Sequence, residues 1–109
     1  MYTYEAKITR VVDGDTVIAD INLGFNVVLH DVSLRLLGIN APEMKGETAE
    51  EGKRSRARLE GLVAGKEIVL KTHKDKREKY GRLLAEIWVD DVDVNKQLVT
   101  EGFAKPFMA

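Results

Sequence analysis

The chain has 109 residues, a formal net charge of −1 and no cysteine, which makes it one domain of ordinary size and excludes disulfides and thiolate metal sites. No apolar run approaches the ~20 residues that a membrane span needs. The opening MYTYEAKITR alternates and carries charge, unlike a signal peptide, so a cytoplasmic protein or the mature or trimmed form of a secreted one is expected.

Tyr4, Ala6 and Ile8 alternate with Glu5, Lys7 and Thr9, the pattern of a half-buried strand. Asp13-Gly14-Asp15 interrupts it with turn chemistry. Thr16 to Leu23 resumes the alternation, with Val17, Ala19, Ile21 and Leu23 expected inward. Gly24-Phe25 suits a tight turn with glycine first, and residues 26–37 return as a longer strand. Its centre, His30-Asp31, breaks the apolar order and predicts a bulge or a bend.

Thr48-Ala49-Glu50-Glu51 fits a capping box that opens a helix running to about Ala64, with Ala57, Leu59, Leu62 and Val63 among its apolar positions and Gly65 just past its end. Gly52 and Gly61 weaken that helix by roughly 1 kcal/mol each relative to alanine. Lys66 to Lys71 reads as a fourth strand, with Ile68 and Leu70 inward, and Leu83, Ala85, Ile87 and Val89 mark a fifth. Asp90-Asp91 turns the chain into a short helix capped by Asp93 and stopped by Gly102. This order lacks the repeated β-α-β alternation of a doubly wound sheet. The expected fold is α+β: an OB-type barrel of five antiparallel strands, a helix between the third and fourth, and a short C-terminal helix.

Charge is unevenly distributed. Lys71, Lys74, Lys76, Arg77, Lys79 and Arg82 are opposed within their segment only by Asp75 and Glu78, and Lys53, Arg54, Arg56 and Arg58 form a second basic run. Such a local field steers an anion even on a nearly neutral molecule, although most charge runs are simply solvated faces. His30 and His73 lack neighbours at ligand spacing and read as non-catalytic.

Chemistry concentrates in LRLLGINAPE, Leu34 to Glu43. Arg35 is presented from a strand, on the face opposite Leu34 and Leu36, and Gly38 lets the chain leave that strand. Pro42 restricts Ala41 to extended conformations and so fixes its carbonyl, while Asn40 and Glu43 offer side-chain oxygens on either side. A structural alternative pairs Arg35 with Glu43 or Asp13.

DGDTV at 13–17, RLLGINAPE at 35–43 and KYGRLLA at 79–85 together resemble the three signature blocks of the staphylococcal nuclease (thermonuclease) family, and the likeness extends through Asn95 and Glu101-Gly102-Phe103-Ala104. The resemblance implies one OB-barrel domain over residues 1–109 that hydrolyses phosphodiester bonds of DNA and RNA with calcium, leaving 3′-phosphates. It implies Asp15 as a metal ligand, Arg35 and Arg82 as phosphate-binding arginines, and Glu43 as the residue that orients or deprotonates water. Ala41 falls where the family places a backbone carbonyl on the metal, Lys79 and Tyr80 where it contacts a neighbouring phosphate, and Asp13 near the metal through water. Asp15, Asn40, Glu43 and a backbone carbonyl are all oxygen donors, as a hard cation such as Ca²⁺ requires, and arginines grip phosphate with paired donors.

Two departures from the family pattern carry expectations. Asn40 stands where an aspartate is usual, so one charge is missing and weaker calcium binding is expected. The sequence ends at Lys105-Pro106-Phe107-Met108-Ala109 without the family's final helix, which predicts a shallower cleft. The competing function is a non-hydrolysing OB module that holds nucleic acid through its basic loop with no metal requirement.

Overall fold

The computed structural model describes residues 1–73 and 76–107, so Lys74 and Asp75 of the basic loop and the terminal Met108 and Ala109 lie outside the described residues. The strands are β1 (Tyr2–Asp13), β2 (Thr16–Gly24), β3 (Val27–Leu36), β4 (Ile39–Asn40), β5 (Ile68–Thr72), β6 (Leu83–Val89), β7 (Val92–Asp93) and β8 (Lys105–Pro106). Helix α1 (Ala49–Val63) follows a 3-10 turn at Gly46–Thr48, and α2 (Val94–Thr100) follows β7. Among the described residues no helix is long and apolar enough to cross a membrane.

Five strands close a barrel. β1 pairs antiparallel with β2 and β5, β2 with β3, and β5 with β6. The closing seam is parallel, matching Leu34, Arg35 and Leu36 of β3 to Leu83, Leu84 and Ala85 of β6. The all-antiparallel expectation is corrected there. β3 and β6 are separated by β4, helix α1 and β5, and that long crossover lets them run the same way.

Alternation does place the core. Val17, Ala19, Ile21, Leu34, Leu36, Ile68, Leu70, Ala85 and Ile87 are buried, and Leu59 and Val63 of α1 with Leu98 of α2 pack against the same cluster. Leu23 is the exception, 41% exposed because β2 and β3 run past the barrel as a two-stranded arm. At the tip of that arm the turn residues are Phe25 and Asn26, not Gly24-Phe25. Both have positive φ, 54° and 63°, the type I′ pattern whose twist suits a hairpin. The bulge at His30-Asp31 is present: the register shifts between Ala19 and Ile21, and Asp31 takes a φ of 55°.

The capping box does not form. Thr48 makes no cap hydrogen bond; its hydroxyl donates instead to the Glu43 carbonyl at 2.8 Å. Ala57 is exposed, while Ser55 is buried and donates to the Phe103 carbonyl at 2.6 Å. Gly52 is also buried, and a Cβ there would stand 2.4 Å from the Glu43 carbonyl oxygen. Asp93 caps α2 as expected, accepting from the Lys96 N–H at 3.1 Å.

Several members of the basic runs serve structure. Arg56 donates to the Val11 carbonyl, Arg58 makes a two-pronged pair with Glu101 at 2.7 and 3.0 Å, and Lys71 lies 3.9 Å over the Trp88 ring. His30 sits 3.3 Å from Asp20 and His73 3.6 Å from Glu86, both away from the signature segments.

Candidate active site

The turn between β1 and β2 brings Asp15 to the start of the closing seam. Asp13 Oδ1 accepts the Asp15 N–H at 3.0 Å, a local turn bond typical of aspartate. A Cβ on Gly14 would fall 2.7 Å from both the Ala41 and Ser55 side chains, so only glycine lets this turn settle against the segment after β4. That contact sets Asp15 beside Ala41, whose N–H donates to Asp15 Oδ2 at 2.8 Å.

Arg35 comes from β3, one residue before the strand ends opposite β6. Its Nη1 lies 3.3 Å from Asp15 Oδ2 and also donates to the Leu36 carbonyl at 3.3 Å, while Nη2 donates to Asn40 Oδ1 at 3.3 Å. The guanidinium therefore bridges two of the three proposed metal ligands. The alternative pairing of Arg35 with Glu43 or Asp13 is not what forms; Asp15 is the partner.

Despite that cation, the Asp15 carboxyl is pushed up to about 6. Burial is the largest cause and the adjacent Asp13 carboxyl adds to it, together outweighing the Ala41 N–H and Arg35, which favour the charge. A buried carboxylate short of compensating charge is a place where a further cation is stabilised.

Arg82 reaches the same centre from the start of β6. Its Nη1 donates to Thr16 Oγ1 at 3.2 Å, and Thr16 Oγ1 donates to Asp15 Oδ1, also at 3.2 Å. Thr16 is thus a hydroxyl link between the second arginine and the carboxylate, and sequence reasoning missed it; its one signal was its place inside DGDTV. On the far side of Arg82, Glu78 Oε2 accepts from Nη2 at 3.1 Å.

The remaining expected residues lie around this cluster. Tyr80 is 73% exposed, with Lys79 Nζ 5.0 Å and Arg82 Cζ 5.9 Å from its ring, so Lys79, Tyr80 and Arg82 make one cationic, aromatic edge. Glu43 is exposed; its backbone is held by Thr48 and packed on Gly52. Its carboxylate makes no polar contact with the cluster. Beneath the site, buried Asn95 ties its two halves together, donating to the Leu37 and Ala85 carbonyls at 2.9 and 3.1 Å.

Among known proteins, the chain is 30% identical over 102 residues to a thermonuclease of Staphylococcus hyicus and 32% identical over 101 residues to a thermonuclease of Staphylococcus intermedius. Those alignments cover 91% and 90% of this chain but 57% and 56% of the relatives, so it spans a little over half their length. It is 34% identical over 105 residues to the SPbeta prophage-derived endonuclease YokF of Bacillus subtilis, covering 93% of this chain and 33% of that protein. The family model described as "Staphylococcal nuclease homologue" matches residues 33–108. That span holds Arg35, Glu43 and Arg82 and more than half of the chain, which therefore belongs to the family of staphylococcal nuclease homologues.

Proposed function

We propose that this chain is a metal-dependent nuclease that hydrolyses phosphodiester bonds of DNA, RNA or both, with calcium as the metal and products ending in a 3′-phosphate. The observation that carries the reading is the convergence of two arginines on one buried carboxylate, in a chain similar to a thermonuclease and an endonuclease. A pure binding module needs the cations but has no use for a buried, undercompensated aspartate between them.

The donor set fits a hard cation. Asp15, the Asn40 amide oxygen and the Ala41 carbonyl are all oxygen donors, and the raised Asp15 carboxyl favours a cation beside it. Among the described residues no group of three His, Cys, Asp or Glu side chains gathers. A site with one carboxylate, one amide and one carbonyl matches that, and its low charge argues for weak binding. Calcium held there would polarise a phosphoryl oxygen and help position water.

The chain's own groups supply the rest. Arg35 and Arg82 neutralise charge that builds on the phosphoryl oxygens, each offering paired guanidinium donors. Glu43, solvent-facing and without a competing partner among the described residues, orients water or takes its proton. Lys79 and Tyr80 hold a neighbouring phosphate or base at the exposed edge. The test is digestion of single-stranded DNA and RNA with Ca²⁺ or with chelator. Calcium-dependent release of 3′-phosphorylated fragments, lost in Glu43→Ser and Arg82→Ala, is the expected result. Retained activity in both variants sinks this mechanism, and salt-sensitive binding without cleavage favours the binding module.

A further inference from the structure

Glu78 surrounds Arg82 with bonds. Its Oε1 accepts the backbone N–H groups of Tyr80 and Arg82, both at 2.9 Å, and its Oε2 accepts Arg82 Nη2 at 3.1 Å. Its own N–H donates to the Arg82 carbonyl at 2.8 Å, and its carbonyl accepts from Gly81 at 2.9 Å. Gly81, with a φ of 85°, supplies the left-handed residue that closes this turn. The Glu78 side chain is only 13% exposed, unlike a solvated surface partner.

These contacts decide which donors Arg82 has left. A guanidinium carries five N–H groups. Among the described residues Thr16 takes one from Nη1, Glu78 takes one from Nη2, and Nε is buried without a partner. What remains is one N–H on each terminal nitrogen, a fork suited to two oxygens of a single phosphate. We propose that Glu78 is the positioning residue of this site: it builds the turn that presents Arg82 and restricts the arginine to that end-on fork. The inference rests on Arg82 being the phosphate-binding cation proposed above. Glu78 itself touches no phosphate and acts only through Arg82.

A structural ion pair and a positioning residue make different predictions. An ordinary i,i+4 pair contributes little, and its loss leaves chemistry alone. Misplacing a transition-state contact by about 1 Å costs on the order of 10²-fold in rate. The experiment compares Glu78→Gln, Glu78→Asp, Arg82→Ala and the double variant Glu78→Gln/Arg82→Ala. It measures kcat and KM, the melting temperature, and the NMR signal of the Arg82 Nε–H, which burial protects from exchange.

Glu78→Gln is expected to lower kcat by about 10-fold or more with KM within about threefold, and to lose the protected Nε–H signal. Glu78→Asp keeps a carboxylate able to accept an N–H two residues on, and is expected to recover most of the rate and the signal. In the Arg82→Ala background, Glu78→Gln should add less than about a twofold loss. Wild-type kcat with an unchanged Nε–H signal in Glu78→Gln overturns the proposal, as does a full multiplicative loss in the double variant. Full activity in Arg82→Ala instead overturns the role given to Arg82, and the Nε–H signal still decides whether Glu78 holds that arginine. If Glu78→Gln melts below the assay temperature, the signal in Glu78→Asp decides: retained, it supports the clamp; lost, it refutes it.

Discussion

Thr16 receives a hydrogen bond from Arg82 at 3.2 Å and hands its own proton on to Asp15. Replacing it with valine preserves shape and strand propensity but removes both bonds, leaving Arg82 Nη1 and Asp15 Oδ1 short of partners. Thr16→Val is expected to cost about 1–2 kcal/mol of stability and roughly 10-fold in kcat, since an arginine without its hydroxyl stop is less well placed. Denaturant melts and steady-state digestion rates check the two effects separately.

Asp15 sets a trade between stability and function. Its carboxyl is raised in the folded state from its ordinary 3.8 to about 6, so ionising it opposes folding. The sign follows from linkage: the unfolded chain gives up this proton first, and stability falls as pH rises from about 4 to about 6, then levels. Asp15→Asn is therefore expected to stabilise the fold at pH 7 to 8 by at most about 3 kcal/mol, seen as a higher melting temperature, with the advantage fading below about pH 4. Arg35, left without its carboxylate, takes back part of that gain. A variant less stable than the parent at pH 8, measured by thermal melts across pH, refutes this.

Gly52 is the residue for which a helix rule gives the wrong sign. Alanine in a helix interior normally gains about 1 kcal/mol over glycine. Here the added Cβ would lie 2.4 Å from the Glu43 carbonyl oxygen and 2.8 Å from the Met44 nitrogen. Gly52→Ala is expected to destabilise by about 1–3 kcal/mol, as overpacking does, and to displace the segment that carries Glu43. Gly61→Ala, with open space at its Cβ, is the control expected to stabilise. Equal effects from both would mean that the packing of Glu43 on α1 does not matter.

Asn40→Asp returns a charge beside Asp15. Calorimetric titration is expected to show tighter calcium binding, and digestion a higher rate at limiting calcium. The gain is tempered because Arg35 already donates to Asn40 Oδ1 at 3.3 Å and would hold an aspartate more strongly. A slower enzyme with tighter calcium would place the cost on Arg35, drawn away from phosphate.

Much of this architecture was legible in the residues because burial writes itself into period two. Val17, Ala19 and Ile21, then Leu34 and Leu36, then Ile68 and Leu70 announced both the strands and their inward faces. The His30-Asp31 bulge was legible because a polar pair broke that rhythm. Local rules failed where a nearby group made a better offer: Thr48 found the Glu43 carbonyl instead of a helix N–H, and Phe25-Asn26 took the two left-handed turn positions that a glycine-first rule gave to Gly24-Phe25.

Asp15, Asn40, Ala41, Arg35 and Arg82 could be named from short blocks, and geometry gathers them. Thr16 and Glu78 could not, because their importance lies in which atoms they face. For Thr16 that depends on a seam joining residues nearly fifty positions apart, which no local pattern records; Glu78 faces its own turn, but it stands just outside the KYGRLLA block. Parallel closure was likewise invisible, since a strand's side-chain alternation is the same whichever way its neighbour runs.

That seam has a consequence for how the molecule fails. Asp15 and Arg35 sit on or beside one continuous hairpin, whereas Arg82 is joined to them by three paired positions, Leu34 with Leu83, Arg35 with Leu84 and Leu36 with Ala85, and by the Asn95 bonds beneath them. A rupture confined to those three rungs leaves the hairpin, both helices and most of the interior in place, yet it parts the second arginine from Thr16. Inactivation on warming should therefore run ahead of melting, because the site comes apart at a join of only three rungs while the rest of the fold holds.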